Sequence, residues 1–141
     1  MSEELEKIIS KYDFPERNLK PLADIAAVES FFNLKLPKDY VFYAENYLGI
    51  DQFIGVEFIN LWSIEEIIEA NKRYKIVEEL PRTIGIGSNG SGEYIGIEID
   101  ENENVKIILT ALDLDSEYNI EIGDSFTDFL IRLDKGIDWF S

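Results

Sequence analysis

TIGIGSNGSGEYIGIEIDENENVKIIL, residues 83–109, is the stretch whose reading decides the fold. Within Glu93–Ile99, Ile95, Ile97 and Ile99 alternate with Tyr94, Gly96 and Glu98. That is the two-residue period of a strand with one buried face and one at least partly wet. Residues 83–87 form a strand before it, joined through Ser88-Asn89-Gly90-Ser91-Gly92, which is turn chemistry throughout. Asp100–Asn104 is a polar turn and Val105–Leu109 a third strand, so 93–109 reads as a hairpin and the pairing here is antiparallel.

Outward from this centre the spacing becomes helical. On the C-terminal side residues 111–122 are acidic and irregular. A helix over about 124–134 then buries Phe126, Phe129, Leu130 and Leu133, capped by Asp124 or Ser125 and closed by Gly136. On the N-terminal side Ser63-Ile64-Glu65-Glu66 is a capping box that opens a helix to about Tyr74, with Ile64, Ile67 and Ile68 inward. Pro81 ends that region, and residues 53–59 read as one extended or irregular segment. Earlier still, Ser2 caps a helix over 2–11 with Leu5, Ile8 and Ile9 on one face, and 12–21 is a proline-bearing loop. A helix over 22–33 follows, with Leu22, Ile25, Val28 and Phe32 in register. Leu36-Pro37-Lys38-Asp39-Tyr40 opens a third helix, with Tyr40, Val41, Ala44, Tyr47 and Leu48 as its buried stripe and Gly49 as its stop. The whole predicts one α+β domain over 1–141 with its core at about 22–134: a central, largely antiparallel sheet flanked by helices.

Composition narrows the chemistry. The chain has 141 residues and no repeat or interdomain linker, and 45% of it is hydrophobic, enough for a real core. With neither Cys nor His, disulfides, thiolate nucleophiles, Ser-His pairs and nitrogen- or sulfur-based zinc sites are excluded. The first ten residues lack a signal-peptide pattern and no run approaches a membrane span, so the expectation is a cytoplasmic protein. Asp and Glu number 29 against 13 Lys and Arg, a net charge of −16. Such a surface repels nucleic acid and anionic lipid and suits a basic protein.

Motifs that resemble chemistry fail on context. Gly85-Ile86-Gly87-Ser88-Asn89-Gly90 fits the spacing of a dinucleotide loop, but a strand follows where a helix must hold the pyrophosphate. Asp100-Glu101-Asn102-Glu103-Asn104 spaces oxygens as a calcium loop does, yet Val105 stands where that loop needs Gly and Ala111 where it needs Glu. Asp113-Leu114-Asp115-Ser116-Glu117 fails similarly at Tyr118. No S-x-x-K motif occurs, and nothing selects two carboxylates as an acid/base pair. Neither an enzyme nor a cofactor or metal is expected.

Charge distribution is more telling. Thr83 to Ile131 holds eleven Asp/Glu and one Lys. The solubilising explanation of that surplus stands beside a sharper one, a negative docking face for a cationic protein. Among the aromatics near the second and third helices, Phe42 and Tyr43 point to different sides, which leaves one of them toward solvent.

Four segments together resemble a known family: Ile25–Gly49, Leu61–Tyr74, Leu80–Asp100 and Ile122–Leu133. Their pattern is L-P-x-D-Y opening a helix, then W-x-x-x-E-I, then I-x-I-G-x-N-G-x-G before alternating strand residues, then S-F-x-x-F-L. It is similar to the SUKH superfamily (Smi/Knr-like domains), which includes bacterial toxin-immunity proteins and fungal cell-wall synthesis regulators. One departure is Leu48-Gly49 where the family has Asn-Gly. The resemblance implies a single α+β domain and a non-catalytic immunity protein that neutralises a cognate toxin, often a nuclease. An acidic face fits a basic nuclease partner. The candidate contacts, from charge and position alone, are Glu98, Asp100, Glu101 and Glu103 on the hairpin, Asp113, Asp115 and Glu117 beyond it, and Tyr94 on the wet face of its strand. The alternatives are a housekeeping interaction scaffold with a cellular partner and a small-molecule binder using the sheet face. Oligomeric state is left open.

Overall fold

Six strands pair in chain order, every pair antiparallel: β1 (Ile50–Ile54), β2 (Glu57–Leu61), β3 (Thr83–Ser88), β4 (Glu93–Ile99), β5 (Val105–Ala111) and β6 (Ile120–Gly123). This computed structural model describes residues 2–111 and 113–140. The expected central hairpin is β4–β5, in register from Glu93↔Ala111 to Ile99↔Val105. Register slips between Gly85 and Gly87 and between Ile107 and Ile108 add local bend, as bulges do.

Three readings are corrected, two in the sheet and one in a helix. Residues 53–59 are the turn and inner halves of a hairpin, β1–β2, that reverses at Gly55 with φ +63°. An added Cβ there would collide with the Leu133 carbonyl, so only Gly lets this turn seat on the last helix. Residues 111–122 are not wholly irregular, because β6 closes that side of the sheet. The third helix stops at Asn46, before the expected Gly49.

Six helices complete the described residues: α1 (Glu3–Lys11), α2 (Leu22–Phe32), α3 (Lys38–Asn46), α4 (Ile67–Arg73), α5 (Ile76–Glu79) and α6 (Phe126–Asp134). Their starts follow local chemistry. Ser2 accepts from the Leu5 amide, Ser125 accepts from the Asp128 amide, and the Glu66 carboxylate reaches back to the Ser63 amide at 3.1 Å. Gly136, with φ +76°, follows α6 as expected.

The inner face of the sheet carries Ile84, Ile86, Ile95, Ile97, Ile107 and Leu109, buried against Leu5, Ile8, Val28, Tyr40, Tyr43, Phe126 and Phe129 from the helices. This cluster reaches from Leu5 to Trp139, beyond the 22–134 core that the sequence suggested. The α2 register is corrected at Leu22, which is exposed. In α3 Tyr43 is buried with Tyr40 and Ala44, while Leu48 is exposed and Phe42 half-buried. The loop over 12–21 is held by Arg17, whose Nε donates to the carbonyls of Ala44 and Tyr47 and whose guanidinium pairs with Glu65. No helix among the described residues is long and apolar enough to cross a membrane.

Candidate partner-binding surface

The sheet has a second, outer face that is only partly roofed. Side chains of Thr83, Tyr94, Glu98, Lys106 and Ile108 share it, because alternation along β4 sends Ile95, Ile97 and Ile99 the other way. Ile76 of α5, Leu80 and Leu114 cover Tyr94 there, leaving it 8% exposed. Placement of Tyr94 on a wet face is therefore corrected. The alternation was right and the inference of solvent was not, since a short helix and a loop from elsewhere in the chain cap that part of the face. Burial also pushes the Tyr94 phenol above its ordinary pKa.

The exposed part of the same aromatic stack belongs to Trp62 and Tyr74. Trp62 lies 5.9 Å from Tyr74 at 26° between ring planes, and Tyr74 lies 5.1 Å from Tyr94. Trp62 is half-buried and Tyr74 is 38% exposed. Beside them a notch of about 230 Å³ is lined by Asn60, Glu66, Glu69 and Arg73. Phe58, Asn60 and Trp62 alternate along β2 and its end, and so share the outer face. Phe58 stands directly opposite Phe53, ring to ring at 5.3 Å, and Phe53 is 63% exposed. Sequence reasoning singled out none of Phe53, Phe58, Trp62 and Tyr74 as contacts. Trp62 sat in the family-like segment, but its exposure depends on what fails to cover it.

The predicted acidic contacts fall into two groups. Glu98, Asp100, Glu101 and Glu103 gather at the β4–β5 turn, whereas Asp113, Asp115 and Glu117 follow β5 at its other end. Seven residues of strand separate them by about 20 Å at ~3.3 Å per residue. Glu98 is half-buried and faces Lys106 across the pair. Lys106 is bonded to Glu121 at 2.8 Å, and its ammonium is held above the ordinary lysine range chiefly by that bond. Asp100 accepts from the amides of Asn102 and Asn104, which lowers its pKa, the Asn104 amide contributing most. Arg82 donates to the carbonyls of Ile99 and Asp100, and a groove beside Glu103 is bordered by Lys35, Lys38 and Arg82. Glu98 and Glu103 at that end therefore have cations nearby.

At the opposite end Asp113, Asp115 and Glu117 are all exposed. Asp113 accepts from the Asp115 amide and Asp115 from the Glu117 amide, so the segment is a chain of local turns. Leu114 anchors it against Tyr94. Of the two groups, only the segment of Asp113, Asp115 and Glu117 carries a residue, Leu114, that packs in the cluster with Tyr94. No three Asp or Glu side chains among the described residues converge as metal ligands would. After Ser88–Gly92 comes β4, so the glycine motif is a hairpin turn with no helix behind it.

Residues 21–132 match the SMI1/KNR4 family (SUKH-1). No curated protein matches the chain.

Proposed function

The chain belongs to the SMI1/KNR4 (SUKH-1) family, which includes immunity proteins, and from that premise we propose that it is one itself. It binds a cognate toxin domain, a basic nuclease, and silences it stoichiometrically with no bond made or broken. The observation that carries this reading is the charge: 29 acids against 13 bases on a single domain. Ion pairs among the described residues engage Glu45, Glu65, Glu121, Asp124, Asp128 and Asp134. The net charge of −16 remains to act on a partner. A nuclease grips phosphate with Lys and Arg, and the same side chains are drawn to an acidic surface. Long-range attraction raises the encounter rate and fades as salt shortens the Debye length to about 8 Å at physiological strength.

The test is co-expression with the toxin encoded beside the gene, together with association kinetics of the purified pair. Cells are expected to survive, and the association rate to fall steeply as salt rises. Death of the protected cells, or an association rate indifferent to salt, rejects the proposal.

A further inference from the structure

We propose that the partner docks on the outer sheet face beside the Trp62–Tyr74 stack, and that its arginine or lysine side chains seat on those rings between the flanking carboxylates. This deepens the immunity reading and rests on it for the basic character of the partner. The inner face of the sheet is closed by helices, while the outer face leaves Phe53 and Tyr74 open to solvent. Aromatic side chains held this way, rigid and partly dry, are the type that anchors interfaces. Tyr94 fixes the stack from below, since Ile76, Leu80 and Leu114 lock it in place.

Charge selects the occupant. Glu66 and Glu69 line the notch with one base, Arg73, and Leu114, which packs in the cluster with Tyr94, lies between the exposed Asp113 and Asp115 in the chain. A cation over a ring face within about 6 Å is attracted by the ring quadrupole, and a nearby carboxylate adds to it. The β4–β5 turn offers no equivalent, because the groove beside Glu103 is lined by Lys35, Lys38 and Arg82 and by no aromatic ring. A second copy of this chain is a poor occupant, since each copy carries −16.

The experiment uses the whole protein and acetylated hexa-arginine at low ionic strength. The chain has two indoles, and Trp139 is only 8% exposed, so the Trp62 indole N–H resonance reports the notch without any substitution. Hexa-arginine is expected to shift that resonance saturably, and hexaglutamate to leave it in place. Glu66→Gln with Asp115→Asn and Glu117→Gln weakens the peptide about tenfold. Glu101→Gln with Glu103→Gln changes it by less than about twofold. A Trp62 resonance that stays still overturns the proposal. So does a weakening that follows the Glu101 and Glu103 changes instead, or a dimer in sedimentation that Trp62→Ser dissolves. In cells expressing the toxin, a wild-type protein that fails to protect sinks the immunity reading. A wild type that protects, with a Phe53→Ser/Tyr74→Ser variant that protects equally well, sinks the docking surface alone.

Discussion

Replacing Asn71 with alanine removes one buried carboxamide and leaves two backbone groups without partners. The Asn71 side chain is fully buried. Its Nδ2 donates to the carbonyls of Ile67 at 2.7 Å and Gly85 at 2.9 Å, and its Oδ1 accepts from the Gly85 amide at 2.8 Å. The position explains the need. The β2–β3 ladder runs out where the Trp62 amide donates to Ile86, so the next groups of β3, at Gly85, have no strand beside them on that side. One carboxamide, with a donor and an acceptor, does there what a neighbouring peptide unit would do. Each buried group left unpaired costs about 1–3 kcal/mol, so Asn71→Ala is expected to lose about 3 kcal/mol. For a chain this long that lowers Tm by about 10 °C. Urea unfolding followed by circular dichroism measures it, with the midpoint falling and the slope unchanged. Asn71→Asp keeps the acceptor for the Gly85 amide but turns a carboxylate toward two carbonyls. It is expected to cost at least as much at neutral pH and to recover in part on acidification, when the acid can donate. A loss below about 1 kcal/mol for Asn71→Ala would refute the reasoning, because it would mean that Gly85 finds other partners.

Three further changes test other parts of the fold. Tyr40 is buried and its hydroxyl has no hydrogen-bond partner among the described residues, so Tyr40→Phe is expected to raise stability by about 1 kcal/mol in the same urea assay; a loss would show the hydroxyl to be bonded. Gly55→Ala places a methyl group against the Leu133 carbonyl at a positive φ and is expected to cost about 2 kcal/mol or more, read as a lower Tm. The Arg17 guanidinium holds the Glu65 carboxyl below the ordinary range, so this pair's contribution is present above the unfolded-state pKa and is lost as pH falls through the lower, folded value. Glu65→Gln is therefore expected to be less stable than the wild type by under about 1 kcal/mol at neutral pH, the side chain being half exposed, with the two converging once pH falls below the lowered Glu65 value.

Local chemistry made much of the architecture legible. Ser2, Ser125 and the Ser63–Glu66 pair announce helix starts because a cap needs only a side chain and three residues. The alternation of Ile95, Ile97 and Ile99 likewise declares a strand within its own length. Elements too short for a period escaped: β6 offers only Ile120 and Ile122, and the β1–β2 hairpin hides a reversal at Gly55-Val56 inside one apolar run. The candidate surface was less legible for a different reason. Tyr94 and Trp62 differ in what covers them, and coverage is set by α5 and Leu114, remote in sequence from Trp62. The two acidic groups look continuous along the chain, yet the length of β5 keeps them apart.

Strands that pair only with their immediate successors leave the sheet itself waiting on no distant segment. During synthesis each new strand finds the edge it needs already in place, which favours rapid assembly. Seams that do wait are those with α6, where Lys11 and Tyr12 both bond Asp134 across more than a hundred residues and Asp39 bonds Thr127. Helix α1 thus lacks its partner until α6 emerges. A ribosome that stalls short of α6 releases a sheet whose oily side lacks Phe126 and Phe129, a ready substrate for proteases.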